Sequence, residues 1–431
     1  MGTSVQKETQ PGIGREGPAS QPRARNAIWQ VLNTLSIPVL ALFTALVISA
    51  FFILASDPVI LAAYGNFFQS PVHALAISWN EVASAYTALF LGAIGSPAAI
   101  VVAIRTYLAT GQTNGLIQAF YPFSESLVAA TPYIFAGLAV ALGFKCGLFN
   151  IGAEGQIYIG ALTAAYVGYR FTGLPWIIHA PLTLLAAALA GAVWAGIPGY
   201  LKAKTGAHEV INTMMMNYVA FNLADFLLNG PMKRGGSTGY IPISPDIQTS
   251  AYLPKFFPDP IRLHAGFLIA LVMAGAMFWF LWRTTLGFEL RTVGSNLRAA
   301  KYAGINITRN FVLAMALSGA LAAMGGAGEV MGVNHSISQS FSPGYGYNSI
   351  ALALMGGSNP LGVVLASLLF GALSNGATAM QALAGIPIDI VSIVQAFVIM
   401  FVAAPATIRF IYRLKVEGGV QAVFTRGWGG G

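Results

Sequence analysis

The sequence predicts an all-α, polytopic membrane protein with about ten transmembrane helices. Of its 431 residues, 56% are hydrophobic and only 8% are charged, whereas soluble domains carry about 25% charged residues. The mean hydropathy is +0.69. A soluble protein of this composition would expose apolar surface to water, so we expect this chain to lie in a lipid bilayer.

Apolar stretches of about 20 residues predict the individual spans, because that length crosses the hydrocarbon core as a helix. The eighth and ninth stretches are short and are joined by Gly-Gly-Ser-Asn-Pro. We expect these two to form a helical hairpin that does not fully cross, shielded by neighbouring protein. The predicted spans are 33–54, 125–145, 152–170, 176–199, 209–229, 264–283, 310–332, 347–358, 361–377 and 388–409.

The distribution of positive charge predicts the orientation of the chain. Sixteen of the 22 Lys and Arg residues fall in segments expected inside and six in segments expected outside. Because Lys and Arg collect on the cytoplasmic side, both termini are predicted to be cytoplasmic. The predicted divisions are a disordered tail (1–30), a transmembrane domain (31–410) and a second tail (411–431); the domain contains an outer segment (55–124), an outer loop (230–264) and a cytoplasmic loop (284–309).

Two outer regions leave alternatives open. Tyr86–Ile104 is almost long enough to span, but we interpret it as external, lying in the membrane interface. The Pro- and Gly-rich loop 230–264 cannot form one long helix. It could cover a solute path, meet an external partner, or simply connect two spans.

Several chemistries are excluded by the residues themselves. No Gly is followed by Lys, so the chain lacks a Walker A sequence. His208–Asn212 begins like a zinc-protease motif but has no second His, and the single Cys146 allows no disulfide. We therefore expect no enzyme active site, no metal and no cofactor bound by this chain. A transporter that uses ATP would need another subunit to bind it.

Polar residues inside the apolar stretches are the candidate path residues. Asn150, Glu154 and Gln156 lie within Gly147–Ala165. Burying such groups without partners is costly, so they either line a solute path or clamp helices together. Glycines around them predict a helix that begins at membrane depth, capped by Asn150, with Glu154 in its first turn.

Two further sets extend the predicted path. Glu209, Asn212, Met216 and Asn217 share one side of a helix, and the alternative for them is tight packing. Glu329 is a third candidate, in a Gly-rich span. There Gly328 and Gly332 are expected to allow close helix approach.

The loop 284–309 has a different character from the spans. Ser295 or Asn296 can cap a short basic helix, which Gly304 would end. Such a capped helix between two spans is suited to docking a partner; the alternative is a solvated helix without a role.

Six motifs occur along the chain in the order GLFNIGAEGQIYIGAL, HEVINTMMMNY, TTLGFELRTVGSN, RAAKYAG (Arg298–Gly304), FSPGYGYNSIALALMGG and NPLGVVLASLLFGAL. In this order they resemble the permease subunits of ABC importers, in the nucleoside and simple-sugar (ribose-type) branch, and the resemblance runs over about 126–404. RAAKYAG resembles the pattern with which those permeases engage the ATPase, with Arg298 in place of Glu. Ser96–Phe120 departs from the family as an insertion.

The resemblance implies a type II-like importer fold in a prokaryotic inner membrane. It implies a partner ATPase that uses ATP, a second, related permease chain and an extracytoplasmic substrate-binding lipoprotein. The residues it assigns to ATPase coupling are Gly294, Ser295, Asn296, Arg298, Ala299, Ala300, Tyr302, Gly304 and Ile305.

A nucleoside is the first substrate that the resemblance implies, and a predicted path with amides but few charges agrees with it. A simple sugar such as a pentose is second and branched-chain amino acids are third. The alternative from another class is an ion-coupled secondary transporter. Such transporters often contain internal repeats, and no convincing repeat is found here.

Overall fold

The computed structural model describes residues 23–235 and 241–413. Residues 1–22 and 414–431 of the two predicted tails lie outside this part, as does 236–240 of the predicted outer loop. The described residues form α1 (Arg23–Ser56), α2 (Pro58–Gly65), α3 (Pro71–Ile94), α4 (Pro97–Thr110), α5 (Asn114–Lys145), α6 (Ala153–Arg170), α7 (Trp176–Thr205), α8 (Glu209–Asn229), α9 (Ala265–Arg283), α10 (Thr285–Ser295), α11 (Leu297–Tyr302), α12 (Ile307–Glu329), α13 (Tyr345–Met355), α14 (Pro360–Ala384), α15 (Ile388–Ala403) and α16 (Pro405–Ile411).

The predicted all-α membrane class is confirmed. Nine of the ten predicted spans each coincide with one helix, and the tenth, 388–409, is divided at Ala404 into α15 and α16. The described residues contain no strand, only two isolated β-bridges. Seven helical stretches of the described chain are long and apolar enough to cross a membrane. Helices α6, α8, α13 and α15 are not among them, because α13 and α15 are short and α6 and α8 carry polar residues.

The predicted hairpin of two short helices is only half right. Helix α13 has 11 residues, but α14 has 25 and continues seven residues beyond the predicted end at 377. Asn375 lies within this helix and donates hydrogen bonds to the carbonyl oxygens of Gly92 (2.8 Å) and Pro122 (2.9 Å).

Helix α3 occupies part of the segment that the sequence predicted to be external. It is a 24-residue apolar helix, and with α4 it is long enough to cross a membrane. Its last turns pack closely against α14, since a Cβ atom on Gly92 would lie 2.2 Å from Cβ of Ala379. Ser126 of α5 also donates to the Ala93 carbonyl oxygen (2.6 Å). The predicted spans omitted α3, which belongs to the helix bundle.

Small residues bring the central helix α12 against α6 and α7. A Cβ atom on Gly160 would lie 2.1 Å from the Ala323 carbonyl oxygen, and one on Gly319 would lie 2.2 Å from the Gly191 carbonyl oxygen. Backbones therefore touch at these crossings, as is common in membrane bundles. The expectation for Gly328 was wrong, because no atom of another described helix lies within 4 Å of the Cβ position there. Gly325 and Gly326 make the close approaches instead.

The loop between α8 and α9 packs over one end of the bundle. Backbone N–H groups of Ile247, Gln248 and Leu253 donate to the carbonyl oxygens of His335 (2.9 Å), Gly168 (2.9 Å) and Met331 (3.0 Å). These acceptors lie at or just beyond the ends of α6 and α12. The described part of the loop is therefore joined to the bundle by its backbone.

Candidate functional site

Helix α6 begins deep in the bundle. Asn150, just before it, donates from Nδ2 to Oγ of Ser318 (2.8 Å). Ser318 lies about 16 Å along α12 from its first residue, at 1.5 Å per residue. Ser318 in turn donates to the Ala139 carbonyl oxygen of α5 (2.6 Å). Helix α6 therefore begins inside the helix bundle, and the cap position predicted for Asn150 is occupied by Gly152.

The side chains of Asn150 and Gln156 pair with each other. Each amide nitrogen donates to the oxygen of the other side chain, at 3.0 and 3.1 Å. Oδ1 of Asn150 also accepts from the N–H of Gly152 (2.9 Å), the residue that caps α6. Both amides are buried and each of their nitrogen and oxygen atoms has a partner, so with Ser318 they join α5, α6 and α12 as a polar clamp.

Asn217 of α8 is also hydrogen-bonded to the start of α6. Its Oδ1 accepts from the N–H of Gly155 (2.8 Å), and its Nδ2 donates to the Ile151 carbonyl oxygen (3.0 Å). One of the donors that a helix N-terminus leaves unpaired is thereby satisfied. Asn217 is fully buried, so its amide faces α6.

Glu154 joins the beginnings of two helices. It lies in the first turn of α6 and is 2% exposed. Its Oε2 accepts from the N–H of Gly346 (2.5 Å), in the first turn of α13. A carboxylate is favoured at the positive end of a helix dipole, and this one lies at two such ends. We define the α6 start as Asn150, Glu154, Gln156 and Asn217.

The remaining predicted path residues are not members of this hydrogen-bonded group. Glu209 pairs with Nζ of Lys202 (2.8 Å) where α7 leads into α8. Glu329 lies at the far end of α12 and accepts from Asn334 at 3.5 Å. Asn212 has a buried Nδ2 with no partner among the described residues, and Met216 is half-buried. Among the described residues, no hydrogen bond or ion pair joins these four side chains to the α6 start, although Met216 directly precedes Asn217 in the chain.

Two exposed tyrosines beside the α6 start were missed by the sequence analysis. Tyr218 is 56% exposed and Tyr347 is 43% exposed. Nδ2 of Asn217 donates to the Tyr347 hydroxyl (3.3 Å). Met215 and Asn222 of α8 are exposed on the same helix. We call Met215, Tyr218, Asn222 and Tyr347 the tyrosine face. The available signals were the position of Tyr218 directly after Asn217 and the position of Tyr347 within the motif FSPGYGYNSIALALMGG.

An ion pair at the outer loop was also missed. Glu125 of α5 is 6% exposed and is held by the guanidinium of Arg262, which reaches both carboxylate oxygens. The signal that was overlooked is Glu125 itself, a charged residue at the start of the predicted span 125–145. The pair fastens the loop before α9 to α5.

The predicted short helix in the loop 284–309 is confirmed as α11. Oδ1 of Asn296 accepts from the N–H groups of Arg298 and Ala299, both at 3.0 Å, so Asn296 is the cap. Ser295 donates to the Thr292 carbonyl oxygen instead (3.0 Å). Gly304 ends the turn at φ +76°, a conformation that favours glycine.

Helix α11 is anchored on one side and open on the other. Ala300 is fully buried, whereas Tyr302 is 97% exposed. The preceding helix α10 touches the end of α5, since a Cβ atom on Gly294 would lie 2.2 Å from the Lys145 carbonyl oxygen. Glu289 of α10 accepts from Arg309 (2.8 Å) and Asn310 (2.9 Å) of α12.

Comparison with known proteins gives the family. A family described as "Branched-chain amino acid transport system / permease component" matches residues 123–403. A guanosine ABC transporter permease protein of Bacillus subtilis (strain 168) is 42% identical over 308 residues, covering 71% of this chain and 88% of that protein. A glucose ABC transporter permease protein of Haloferax volcanii is 40% identical, covering 69% and 79%. A nucleoside ABC transporter permease protein of Lactococcus lactis subsp. cremoris is 32% identical, covering 80% and 90%.

No solved structure matches the chain. The match spans α5 to α15 and includes both the α6 start and α11. Helices α1 to α4 lie before it. The chain belongs to this family of transport-system permeases and is a multi-pass membrane protein.

Proposed function

We propose that this chain is the permease subunit of an ATP-driven importer. The observation that carries the proposal is α11, a capped helix with one buried residue and an almost fully exposed tyrosine. An ATPase subunit would dock on this helix and hydrolyse the ATP. A second, related permease and an extracytoplasmic binding lipoprotein would complete the importer, in a prokaryotic inner membrane with both termini of this chain cytoplasmic.

The contacts of α10 support a route from α11 to the spans. Gly294 lies against the end of α5, and Glu289 is bonded to Arg309 and Asn310 of α12. Movement of α11 by an ATPase would therefore act on α5 and α12 together. Asn150 and Ser318 link these helices to the start of α6. The spans would rock between outward-open and inward-open states as connected bodies.

Affinity purification from native membranes tests the assembly. The tagged chain should bring down an ATPase, a second permease and a lipoprotein, identified by mass spectrometry. Tyr302→Ala should lower recovery of the ATPase at least tenfold, a loss of about 1.4 kcal/mol. Phe68→Ala is the matched control, because Phe68 is an equally exposed aromatic residue on another part of the chain (99%). Equal recovery of the ATPase with the wild type, Tyr302→Ala and Phe68→Ala would exclude α11 as the site where the ATPase docks.

The tyrosine face supports a nucleoside as the transported solute. Tyr218 and Tyr347 offer exposed aromatic rings with hydroxyl groups, and Asn222 adds an amide. Aromatic rings stack on bases, and hydroxyl and amide groups bond base edges and ribose. Permeases named for guanosine and nucleosides are among the relatives. The α6 start would hold this face in place without touching solute.

Uptake by the reconstituted complex tests the substrate. Labelled guanosine and uridine should be taken up with ATP, and glucose and ribose should not compete. Tyr347→Ala should reduce nucleoside uptake about tenfold, and Tyr347→Phe, which keeps the ring, less. If glucose or ribose is transported while nucleosides are not, the substrate is a sugar. This second candidate is supported by the relative named for glucose, at 40% identity.

An ion-coupled transporter is the remaining alternative. It would take up solute without ATP and stop when the ion gradient collapses. Relatives named as ABC transporter permeases support the ATP-driven mechanism over this one.

A further inference from the structure

Two cations share one tryptophan where α5, α9 and α10 meet. Nζ of Lys145 lies 5.7 Å from the centre of the Trp282 ring, and Cζ of Arg291 lies 5.7 Å from it as well. Lys145 is the last residue of α5, Trp282 lies in the last turn of α9, and Arg291 lies within α10. We call these three residues the Trp282 cluster.

Within the described part of the chain, the two positive charges have no carboxylate partner. Five ion pairs join described residues, and neither Lys145 nor Arg291 belongs to any of them. The two cations are close enough to repel each other. Glu289, on the same helix as Arg291, is already bonded to Arg309 and Asn310. The cluster therefore carries uncompensated positive charge.

Arg291 also has an unused hydrogen-bond donor. Its Nε atom is buried and has no partner among the described residues. Leaving a guanidinium N–H buried without an acceptor costs free energy, more than for a neutral group. A planar guanidinium with a free N–H matches the geometry of a phosphate, which can accept two parallel hydrogen bonds. The missing component of the cluster is thus an anionic acceptor.

We propose that the Trp282 cluster binds the phosphate of an anionic phospholipid from the cytoplasmic leaflet. Trp282 ends an apolar span, the level at which tryptophan meets lipid headgroups. Phe278 stacks on Trp282 one turn earlier (ring centroids 5.0 Å apart) and is 39% exposed, which offers acyl chains an apolar surface. Basic pockets between spans on the cytoplasmic side are suited to anionic headgroups. The inference rests on the proposed orientation, which puts this end of the bundle in the cytoplasm.

Native mass spectrometry of the full-length protein in detergent tests this site without measuring transport. Phosphatidylglycerol is added in one arm, phosphatidylcholine in a second, and inorganic phosphate competes in a third. The wild type should retain bound phosphatidylglycerol but not phosphatidylcholine, and phosphate at millimolar concentration should not displace it. Arg291→Gln and Lys145→Gln should each weaken phosphatidylglycerol binding at least fivefold. Lys204→Gln is the matched control, because it removes an exposed positive charge at the end of α7.

Each opposite result would overturn the proposal. Unchanged phosphatidylglycerol binding in both variants, or equal loss in Lys204→Gln, would mean that binding reflects net charge alone. Displacement by phosphate would identify a free anion as the ligand. Loss of ATPase recovery in these variants with unchanged lipid binding would assign the cluster to a carboxylate of the ATPase.

A further variant tests the geometry of the contact. Arg291→Lys keeps the positive charge but removes the planar guanidinium with its parallel N–H donors. A folded variant with intermediate phosphatidylglycerol binding would support a bidentate phosphate contact. Failure here leaves the importer proposal intact, because α11 is tested separately.

Discussion

Polar groups are paired within the protein at the α6 start but are exposed or unpaired in the described region of α10 and α11. At the α6 start, buried amides and a carboxylate form hydrogen bonds that join five helices, α5, α6, α8, α12 and α13. Each of these amides and the carboxylate has a partner. Around α10 and α11, Tyr302 is exposed and Nε of Arg291 has no acceptor in the part of the chain that the structure describes. Closed networks stabilise the bundle, whereas open groups are available to partners. Polarity in a span is therefore not itself a sign of solute contact.

Replacing Asn150 should give the largest effect on stability. Asn150→Leu leaves Gln156, Ser318 and the Gly152 N–H without their partner. Each buried unpaired group costs about 1–3 kcal/mol, so we expect a loss of about 3 kcal/mol. Thermal unfolding in detergent measures it. Asn222→Ala, on the exposed tyrosine face, is the control and should change the midpoint little. Equal midpoints for the two variants would contradict the clamp.

Replacing Gly304 should have a smaller and local effect. Its φ of +76° is unfavourable for a β-branched residue, so Gly304→Val should destabilise the end of α11 by about 1–2 kcal/mol. Hydrogen exchange should become faster for residues 297–305 and stay unchanged around Ser318. Gly304→Asn is the control, since Asn tolerates this conformation better. Faster exchange throughout α12 would show that α11 and the bundle unfold together.

Glu154→Gln keeps the shape of the side chain and removes its charge. The N–H of Gly346 keeps an acceptor, but the favourable interaction with two helix starts is lost. We expect a loss of about 1 kcal/mol in unfolding free energy, with nucleoside uptake per folded molecule unchanged. A strong uptake defect in a variant of normal stability would show that Glu154 lines the solute path, in contradiction to this account.

The smallest effect concerns pH at α10. The hydrogen bond from Asn310, followed by the charge of Arg309, holds the pKa of Glu289 below its ordinary value of 4.5. The ionised carboxylate therefore adds stability above pH 4.5, and this is lost as pH falls through the lowered pKa. Exchange at α10 should increase in acid in the wild type and lose this dependence in Glu289→Gln. The same acid response in both would exclude Glu289 as its source.

The sequence predicted the ten helices it identified and the cap and end of α11, because these depend on local signals. The length of an apolar stretch predicts a span. Asn296 and Gly304 act on the turn of helix next to them, so their residue types alone predict the start and end of α11. It could not predict that Asn217 bonds Gly155 and Ile151, since those contacts join residues far apart in the chain. Spacing on a helix also placed Glu209 with Asn217, although Glu209 pairs with Lys202. Helix α3 was omitted because the charge count favoured an external segment.

ATP-dependent uptake by the purified complex in proteoliposomes tests the central claim most directly. The account predicts that labelled nucleoside accumulates only when ATP reaches the face that carries α11, and that Tyr302→Ala abolishes this accumulation while the protein stays folded. Uptake that needs no ATP and stops when the ion gradient is collapsed would contradict the account.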